Sequence, residues 1–178
     1  GARQHFEIAE FAPDGTKRVL RVGAVPLIDD LDPLVERYDV RSLVIDAAPE
    51  RQKAREFQAR WNRRRHACVW LAFYPEMKDA VRWNDQAFTV DLHRTEPLDA
   101  LVALFRSGRV RLPLDIPDEY RIHLRAIVRV NEPDARTGNL VARWRETGPD
   151  HYAHAANYCD AAGIRVRRAA AKLQIFSV

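Results

Sequence analysis

The sequence predicts an α/β fold in which one mixed sheet, antiparallel at one edge and parallel in the middle, carries helices on both faces. Three observations support this class. First, the chain opens with two strand patterns joined by a turn at residues 13–16. Second, continuously apolar runs at residues 43–45 and 68–73 flank a helical pattern. Third, helical stripes alternate with short strands in the rest of the chain. At 178 residues the chain is long enough for one domain with a substantial core.

Each element of the N-terminal half has a local signal. Alternating or continuous apolar residues indicate strands, and an apolar stripe at Ala54, Phe57 and Trp61 indicates the helix after Pro49. Acidic residues precede the first helix, where free backbone N–H groups favour negative charge. These signals place strands at residues 5–11, 19–22, 43–45 and 68–73, and helices at residues 31–38 and about 49–63.

The C-terminal half alternates helices and short strands. Thr95 is expected to cap a helix that Gly108 ends, and Gly163 is expected to end the last helix. Residues 75–84 show no regular pattern and are predicted to be irregular. Strands are placed at residues 88–92, 110–112 and 140–144, and helices at residues 95–107, about 117–128 and 150–162. The chain is therefore interpreted as a single domain, with a core at residues 1–163 and a basic tail at residues 164–178.

The distribution of charge is more informative than the formal net charge of +4. Arginine dominates two segments, residues 51–65 and 165–172, and planar guanidinium groups suit phosphate. A polyanionic partner and a solvated helix face both remain open as explanations. No apolar stretch approaches the roughly 20 residues that span a bilayer, and no signal-peptide pattern occurs, so no membrane partner is expected. Cys68 and Cys159 are interpreted as reduced core residues.

Two aspartates are the main candidates for chemistry. Asp46 ends the apolar run at residues 43–45, and ligand sites in open parallel sheets gather at the carboxyl ends of strands. Asp150 opens a helix and shares one face with His154, four residues on, with donors that suit magnesium or manganese. Each aspartate could instead simply cap or stabilise the N-terminus of a helix. If they converge, they could hold two cations about 4 Å apart, as phosphodiester hydrolysis requires.

Other polar residues have more than one interpretation. Arg94 could contact phosphate or form a structural ion pair. Further acidic candidates, which could equally be capping or surface groups, are Glu50, Glu56, Asp91, Glu96 and Asp99. The sequence contains no phosphate-binding loop, no Gly-x-Ser-x-Gly motif and no Cys/His nucleophile arrangement. The chain is therefore not expected to be a nucleotide-hydrolysing motor itself.

Three segments, taken in order, resemble the C-terminal nuclease domain of the terminase large subunit of tailed phages, a family with a ribonuclease-H-like fold. The segments are residues 44–50 with 53–57, Asp91 with residues 94–99, and residues 147–155 with Asn157 and Tyr158. Together they extend over residues 5–162, almost the whole chain. No one segment is diagnostic, but three in the same order are fairly specific.

The resemblance implies a metal-dependent endonuclease that cuts concatemeric viral double-stranded DNA during genome packaging, with Mg²⁺ or Mn²⁺ at a two-metal site. It also implies partners in the intact protein: an ATPase motor domain before this one, the portal and procapsid, and the terminase small subunit. The bacterial host cytoplasm is the expected location.

The family site uses three acidic residues, and the resemblance assigns two of them here. Asp46 looks like the second acid and Asp150 like the third. His154 and His5 are further expected metal ligands, and the residues expected to bind the DNA backbone are Arg51, Lys53, Arg55 and Arg94.

The first family acid has no matching residue. Residues 1–6 resemble the part that follows it, so this aspartate is expected upstream of Gly1, with Glu7 or Glu10 as conceivable substitutes. The chain alone is then expected to bind metal weakly and to cut little DNA. Two alternatives stay open: a non-catalytic DNA-binding or portal-docking module of the same fold, and another ribonuclease-H-like nuclease such as a resolvase or transposase.

Overall fold

The structure is a computed structural model that describes residues 3–175, with side chains described as far as residue 167. Within these residues the strands are β1 (Gln4–Phe11), β2 (Lys17–Val25), β3 (Leu43–Asp46), β4 (Val69–Phe73), β5 (Val81–Asn84), β6 (Thr89–Leu92), β7 (Val110–Arg111), β8 (Ile127–Pro133) and β9 (Leu140–Glu146). The helices are α1 (Asp32–Arg37), α2 (Arg51–Arg64), α3 (Glu96–Arg106), α4 (Asp118–Arg125) and α5 (His151–Ile175), and a 3₁₀ turn at Ile28–Leu31 precedes α1. The predicted α/β class is confirmed.

The central sheet has the strand order β3-β4-β6-β5. Strands β3, β4 and β6 are parallel, and β5 is antiparallel at the edge. In β4, Val69 and Leu71 belong to a core cluster with the apolar stripe of α2, whereas Trp70 and Ala72 belong to a cluster with α5. Helices thus cover both faces of this sheet, which explains why β4 is apolar at successive positions.

A second sheet has the order β1-β2-β7. Strands β1 and β2 form the predicted antiparallel hairpin, and β7 pairs in parallel with β2. Strands β8 and β9 form a separate hairpin. The sequence predicts one continuous sheet, but β1 and β3 are not hydrogen-bonded to each other, so the described residues form two mixed sheets. Helix α5 packs against both β1 and β3.

Two boundaries differ from prediction because strand pairing overrides local propensity. Strand β5 lies in the segment predicted to be irregular, where its partly buried Val81 and Trp83 alternate with exposed residues in pairing with β6. Helix α4 ends at Arg125 rather than near residue 128, because Ile127 begins β8 and pairs with Glu146 of β9.

The largest boundary error concerns Gly163, which does not end the last helix. Helix α5 continues through it to Ile175, so the core and tail predicted on either side of Gly163 share one helix. A Cβ atom at this position would lie 2.4 Å from Cε2 of Phe11. Glycine is therefore required for the close approach of α5 to the end of β1, and not for a helix stop.

A buried ionic cluster ties β1 and β2 to α5. The side chains of Lys17 and Glu7 are fully buried, and Lys17 Nζ lies 2.5 Å from carboxylate oxygens of both Glu7 and Asp160. Tyr120 of α4 donates its hydroxyl hydrogen to Glu7. Desolvation alone would lower the pKa of Lys17, but the neighbouring carboxylates outweigh it and raise the pKa above the ordinary value. Lys17 is thus held as a cation.

Within residues 3–175, no helix combines the length and the apolarity that crossing a membrane requires.

Both cysteines are free thiols, and Cys68 is buried in the core, as predicted. Burial raises the pKa of the Cys159 thiol, so this group stays protonated. Neither cysteine is therefore a thiolate nucleophile at neutral pH.

Candidate active site

Asp46 is the last residue of β3 and lies beside Ala72 of β4. It therefore sits at the carboxyl edge of the parallel strands, where it is exposed. One carboxylate oxygen accepts the backbone N–H of Ala48 at 2.9 Å, and the other accepts the hydroxyl of Tyr158 at 2.9 Å. Because the residue at the N-cap position of α2 is Glu50, Asp46 does not cap that helix.

One face of α5 meets this edge of the sheet. Asp150, His154 and Tyr158 are spaced four residues apart, so they lie on one side of the helix. His154 Nε2 is 3.1 Å from Asp150 Oδ2, and Tyr158 reaches Asp46. Each aspartate is thus in contact with this face of α5, Asp46 through Tyr158 and Asp150 through His154. Asp150 and Tyr158 are roughly 12 Å apart along the helix axis, with His154 between them.

Three buried polar atoms at this face lack a hydrogen bond of ordinary geometry among the described residues, although Tyr74 is close enough to Asn157 and Tyr158 for their side chains to affect its pKa. They are Tyr74 Oη, His154 Nδ1 and Asn157 Oδ1. The Tyr74 ring centroid lies 6.4 Å from that of His154 and 6.3 Å from that of Tyr158. Buried polar atoms without a partner are rare and costly in proteins. A polar ligand, an ion or water at this face could complete the hydrogen bonding of these atoms.

The two tyrosines of the site stay protonated at neutral pH. Burial raises the pKa of Tyr74 to about 12, and the negative charge of Asp46 acts in the same direction. Burial likewise raises the pKa of Tyr158, with Tyr74 and Asp46 as further causes. Tyr158 is therefore a permanent hydrogen-bond donor to Asp46.

No sequence pattern assigns a role to Tyr74, and only the resemblance to the terminase family points to Asn157 and Tyr158. One signal was available for Tyr74: it directly follows β4, just as Asp46 ends β3. Neighbouring parallel strands end at the same edge, so polar residues at both ends are candidates for one site.

The predicted DNA-binding residues divide into two groups. Arg94 is close enough to Tyr74 for its charge to lower the pKa of that hydroxyl, and Arg51 lies over the ring of Phe73 at 5.3 Å, next to Tyr74. Lys53 and Arg55 are exposed on α2, where Lys53 pairs with Glu50 at 2.7 Å. Arg51 and Arg94 thus flank the site.

Other arginines of the same segment have structural partners. Arg60 pairs with Asp29 and Asp32, and Arg64 pairs with Glu36 of α1. These ion pairs join the C-terminal half of α2 to the 3₁₀ turn and α1. Local ion pairs therefore explain much of the basic character of residues 60–65, whereas Arg63 is exposed, as are the basic residues in the N-terminal half of α2.

His5 lies in a different cluster. Its ring centroid is 4.8 Å from that of His151, 5.6 Å from that of His123 and 4.7 Å from that of Tyr152. Burial lowers the pKa of His5, and the neighbouring histidines lower it further. Metal ligation by His5 remains a prediction. The rings around His5 are those of His123, His151 and Tyr152 rather than that of His154.

The other acidic candidates have structural partners. Asp91 pairs with Arg82 at 2.8 Å, and Asp99 accepts hydrogen bonds from Arg129 and Trp144. Of the conceivable substitutes for the first family acid, Glu7 is held by the buried Lys17 and Glu10 pairs with Arg18 at the surface. Of the remaining acidic candidates, Glu56 accepts a hydrogen bond from Gln52, and Glu96 is exposed on α3.

Thr95 occupies the predicted N-cap position of α3, but its side chain does not form the expected cap bond. Its hydroxyl lies within 3.4 Å of the carbonyl of Ala142. Instead, Nδ1 of His93 accepts the backbone N–H groups of Thr95 and Glu96 at 3.2 and 3.3 Å. A ring nitrogen thus replaces the expected hydroxyl as the acceptor at the start of α3.

The site contains the donor types that Mg²⁺ and Mn²⁺ prefer, namely two carboxylates, an amide oxygen and an imidazole. Within residues 3–167, however, no group of three or more His, Cys, Asp or Glu side chains is placed to hold a metal ion. The donor types therefore suit Mg²⁺ or Mn²⁺, but the described residues supply few ligands for such an ion. Comparisons of the chain with protein-family models, curated proteins and solved structures found no match.

Proposed function

We propose that this chain is a metal-dependent DNA endonuclease domain with a ribonuclease-H-like fold, of the type found in phage terminase large subunits. The observation that carries the proposal is the hydrogen bond between Tyr158 and Asp46, which joins residues 112 positions apart. It brings the carboxyl end of β3 to the face of α5 that holds Asp150 and His154. Carboxylates from two distant elements facing one side are what a metal-dependent phosphodiesterase needs.

The order of elements also supports this fold. An antiparallel hairpin comes first, strands β3, β4 and β6 are parallel, and α5 returns across the face opposite α2. The three segments that resemble the terminase family contribute Asp46, Arg94 and Asp150, and the first two of these approach Tyr74.

In the proposed site, Asp46 and Asp150 would hold Mg²⁺ or Mn²⁺, with His154 and Asn157 Oδ1 as further donors. A divalent ion bound there supplies an acidified water and offsets charge at the departing 3′ oxygen. Tyr158 orients Asp46 through its hydroxyl, and Asp150 orients the His154 ring. Such outer hydrogen bonds fix a ligand before the metal arrives.

Arg51 and Arg94 would grip the phosphates of double-stranded DNA beside this site. Contacts of this kind position the backbone and carry no sequence information. In the packaging complex of a phage-infected bacterial cytoplasm, the domain would act beside an ATPase motor, the portal and procapsid, and the terminase small subunit.

The experiment is a plasmid-nicking assay with millimolar Mn²⁺. Asp46→Asn and Asp150→Asn keep the size of the side chain but remove its charge. We expect each variant to nick supercoiled DNA at least about tenfold more slowly, which corresponds to roughly 1.4 kcal/mol of transition-state stabilisation. The control is Asp118→Asn, an exposed acid of α4. Measurable nicking at the same rate by all four proteins would refute the assignment.

A second candidate function is a non-catalytic DNA-binding or portal-docking module. It is favoured by the exposed basic side chains of α2. This module would bind duplex DNA in a salt-sensitive manner and nick none at any Mn²⁺ concentration. Preferential cutting of four-way junctions over linear duplex would indicate a resolvase instead.

A further inference from the structure

Tyr74 stands at the same edge of the central sheet as Asp46. It directly follows β4, and Asp46 ends β3, which pairs in parallel with β4. Its hydroxyl oxygen is buried, yet it makes no hydrogen bond of ordinary geometry with the described residues. Because a buried hydroxyl normally has a partner, the Tyr74 hydrogen is available for an acceptor that these residues do not supply.

The polar neighbours of Tyr74 leave this hydrogen free. The side chains of Tyr158 and Asn157 are close enough to affect the pKa of Tyr74. Tyr158, however, donates its own hydroxyl hydrogen to Asp46, and Asn157 Oδ1 is itself buried without a hydrogen bond of ordinary geometry. A hydroxyl hydrogen rotates to suit its acceptor, so the Tyr74 O–H can turn toward a ligand.

The three buried polar atoms of this face divide into two acceptors and one donor. His154 Nε2 lies 3.1 Å from Asp150, and an ionised carboxylate only accepts, so Nε2 carries the ring hydrogen. In the neutral ring, Nδ1 is then an acceptor, as is Asn157 Oδ1. These lone pairs suit a cation, whereas the Tyr74 O–H suits an anionic oxygen. The cluster therefore matches a cation and an anion bound side by side.

The charge around Tyr74 favours a phosphate as the anion. Arg94 is close enough for its charge to act on the Tyr74 hydroxyl, and Arg51 lies over the ring of the adjacent Phe73 at 5.3 Å. Guanidinium groups bind phosphate oxygens in pairs, and a phenol adds one further donor. Burial raises the pKa of Tyr74 to about 12, so the hydroxyl keeps its hydrogen at neutral pH.

We propose that Tyr74 is a phosphate-binding residue whose hydroxyl donates a hydrogen bond to a non-bridging oxygen of the scissile phosphate, beside the cation that Asp46 holds. A neutral donor fixed at this position stabilises the phosphate without adding a positive charge that would repel the cation. The inference rests on the proposed nuclease function, because the phosphate is that of its DNA substrate. It assigns to Tyr74 a contact with the substrate and none with the metal.

The probe is thymidine 3′,5′-bisphosphate, which carries phosphate groups but no internucleotide bond to cleave. Its affinity is measured by isothermal titration calorimetry in millimolar Mn²⁺. We expect Tyr74→Phe to bind the probe at least about tenfold more weakly than the parent does. The affinity for Mn²⁺ alone should not change. The matched control is Tyr38→Phe, at a partly buried tyrosine that follows α1, and it should bind the probe as the parent does.

Thermal stability separates phosphate binding from a structural role. Removing a buried hydroxyl that lacks a hydrogen bond of ordinary geometry loses no such bond, so Tyr74→Phe should melt at or above the temperature of the parent. A hydroxyl with a purely structural role would instead lower the melting temperature when removed and leave the affinity for the bisphosphate unchanged.

Phosphorothioate dinucleotides give a second measurement of the same contact. Dithymidine phosphorothioate has two isomers, each with sulfur at one of the two non-bridging positions, and sulfur accepts hydrogen bonds weakly. In Mn²⁺ the parent should bind one isomer more weakly than the other, and this difference should shrink in Tyr74→Phe. Equal binding of both isomers by the parent, or a difference of the same size in both proteins, would overturn the proposal.

The remaining outcomes are also decisive. Equal affinity of the parent and Tyr74→Phe for the bisphosphate would overturn the proposal, as would an absence of binding by the parent or an equal loss of affinity for Mn²⁺ alone. Failure of the nuclease proposal is distinguishable from this. If the parent nicks no supercoiled DNA but needs Tyr74 to bind the bisphosphate, the site binds phosphate without cleaving DNA. If the parent nicks DNA and Tyr74→Phe matches it in rate and in affinity, only the role of Tyr74 is wrong.

Discussion

Replacing Lys17 by methionine would leave the buried carboxylate of Glu7 without its cation. Methionine matches the unbranched stem of lysine, so little packing is lost, and the main change is electrostatic. Glu7 keeps the hydroxyl of Tyr120 as a donor. Asp160, whose side chain is 18% exposed, can regain contact with water, whereas Glu7 cannot.

The expected cost follows from this burial. Removing one partner of a buried ion pair costs about 3–5 kcal/mol, because the remaining charge has neither a partner nor water. For a chain of this size, each kcal/mol lowers the melting temperature by about 2–4 °C. We therefore expect Lys17→Met to melt roughly 6–20 °C below the parent.

The assay is thermal and urea unfolding followed by circular dichroism, with Lys53→Met as the matched control. Lys53 makes an exposed ion pair with Glu50, and such pairs contribute only about 0–1 kcal/mol. Adding Glu7→Gln to Lys17→Met removes the stranded charge and should restore part of the loss. If both lysine variants cost the same, or if Glu7→Gln restores nothing, the ionic cluster does not stabilise the fold as argued.

Two further predictions concern packing and pH. Gly163→Ala should destabilise the protein by about 1–2 kcal/mol in urea unfolding, because overpacking against Phe11 exceeds the gain of about 1 kcal/mol in helix propensity. The control is Gly148→Ala, where the added Cβ atom has room. Net stabilisation by Gly163→Ala would contradict the close contact between α5 and Phe11. Because the pKa of His5 is lowered on folding, the unfolded chain binds more protons below the ordinary value of 6.5, so stability should fall as the pH drops through that value. His5→Gln should make this loss shallower, and an unchanged slope would refute the assignment.

Much of the fold could be predicted because its signals are local. The apolar run of β4 and the stripe of Ala54, Phe57 and Trp61 each give an element whose buried faces follow directly from the sequence. The hairpin of β1 and β2 is marked by its turn residues. In each of these cases, the residues that decide the structure are neighbours in the chain.

The errors arise where distant contacts decide the structure. Gly163 is a typical helix stop by itself, and only Phe11, which is 152 residues away, makes it a packing site. Ile127 follows a helical pattern, and its pairing with Glu146 determines the strand. The separation of β1 from β3 is likewise a tertiary feature, because no local pattern indicates whether two edges will pair.

The candidate site was predictable in part. Asp46 and Asp150 could be identified because each follows or opens a recognisable element. That Tyr158 would connect them, and that Tyr74 would lie beside His154, depends on how α5 crosses the sheet. His5 was proposed as a ligand from its position in the chain, and the approach of His123 and His151 to it could not be read from the sequence.

The most direct measurement of the central claim is Mn²⁺ binding, followed by the electron paramagnetic resonance signal of the free ion. We expect saturable binding by the parent chain and at least tenfold weaker binding by both Asp46→Asn and Asp150→Asn, equivalent to about 1.4 kcal/mol each. Asp118→Asn should bind as the parent does. Identical Mn²⁺ affinity in all four proteins would show that the two aspartates do not form one metal site, and the nuclease proposal would then fail.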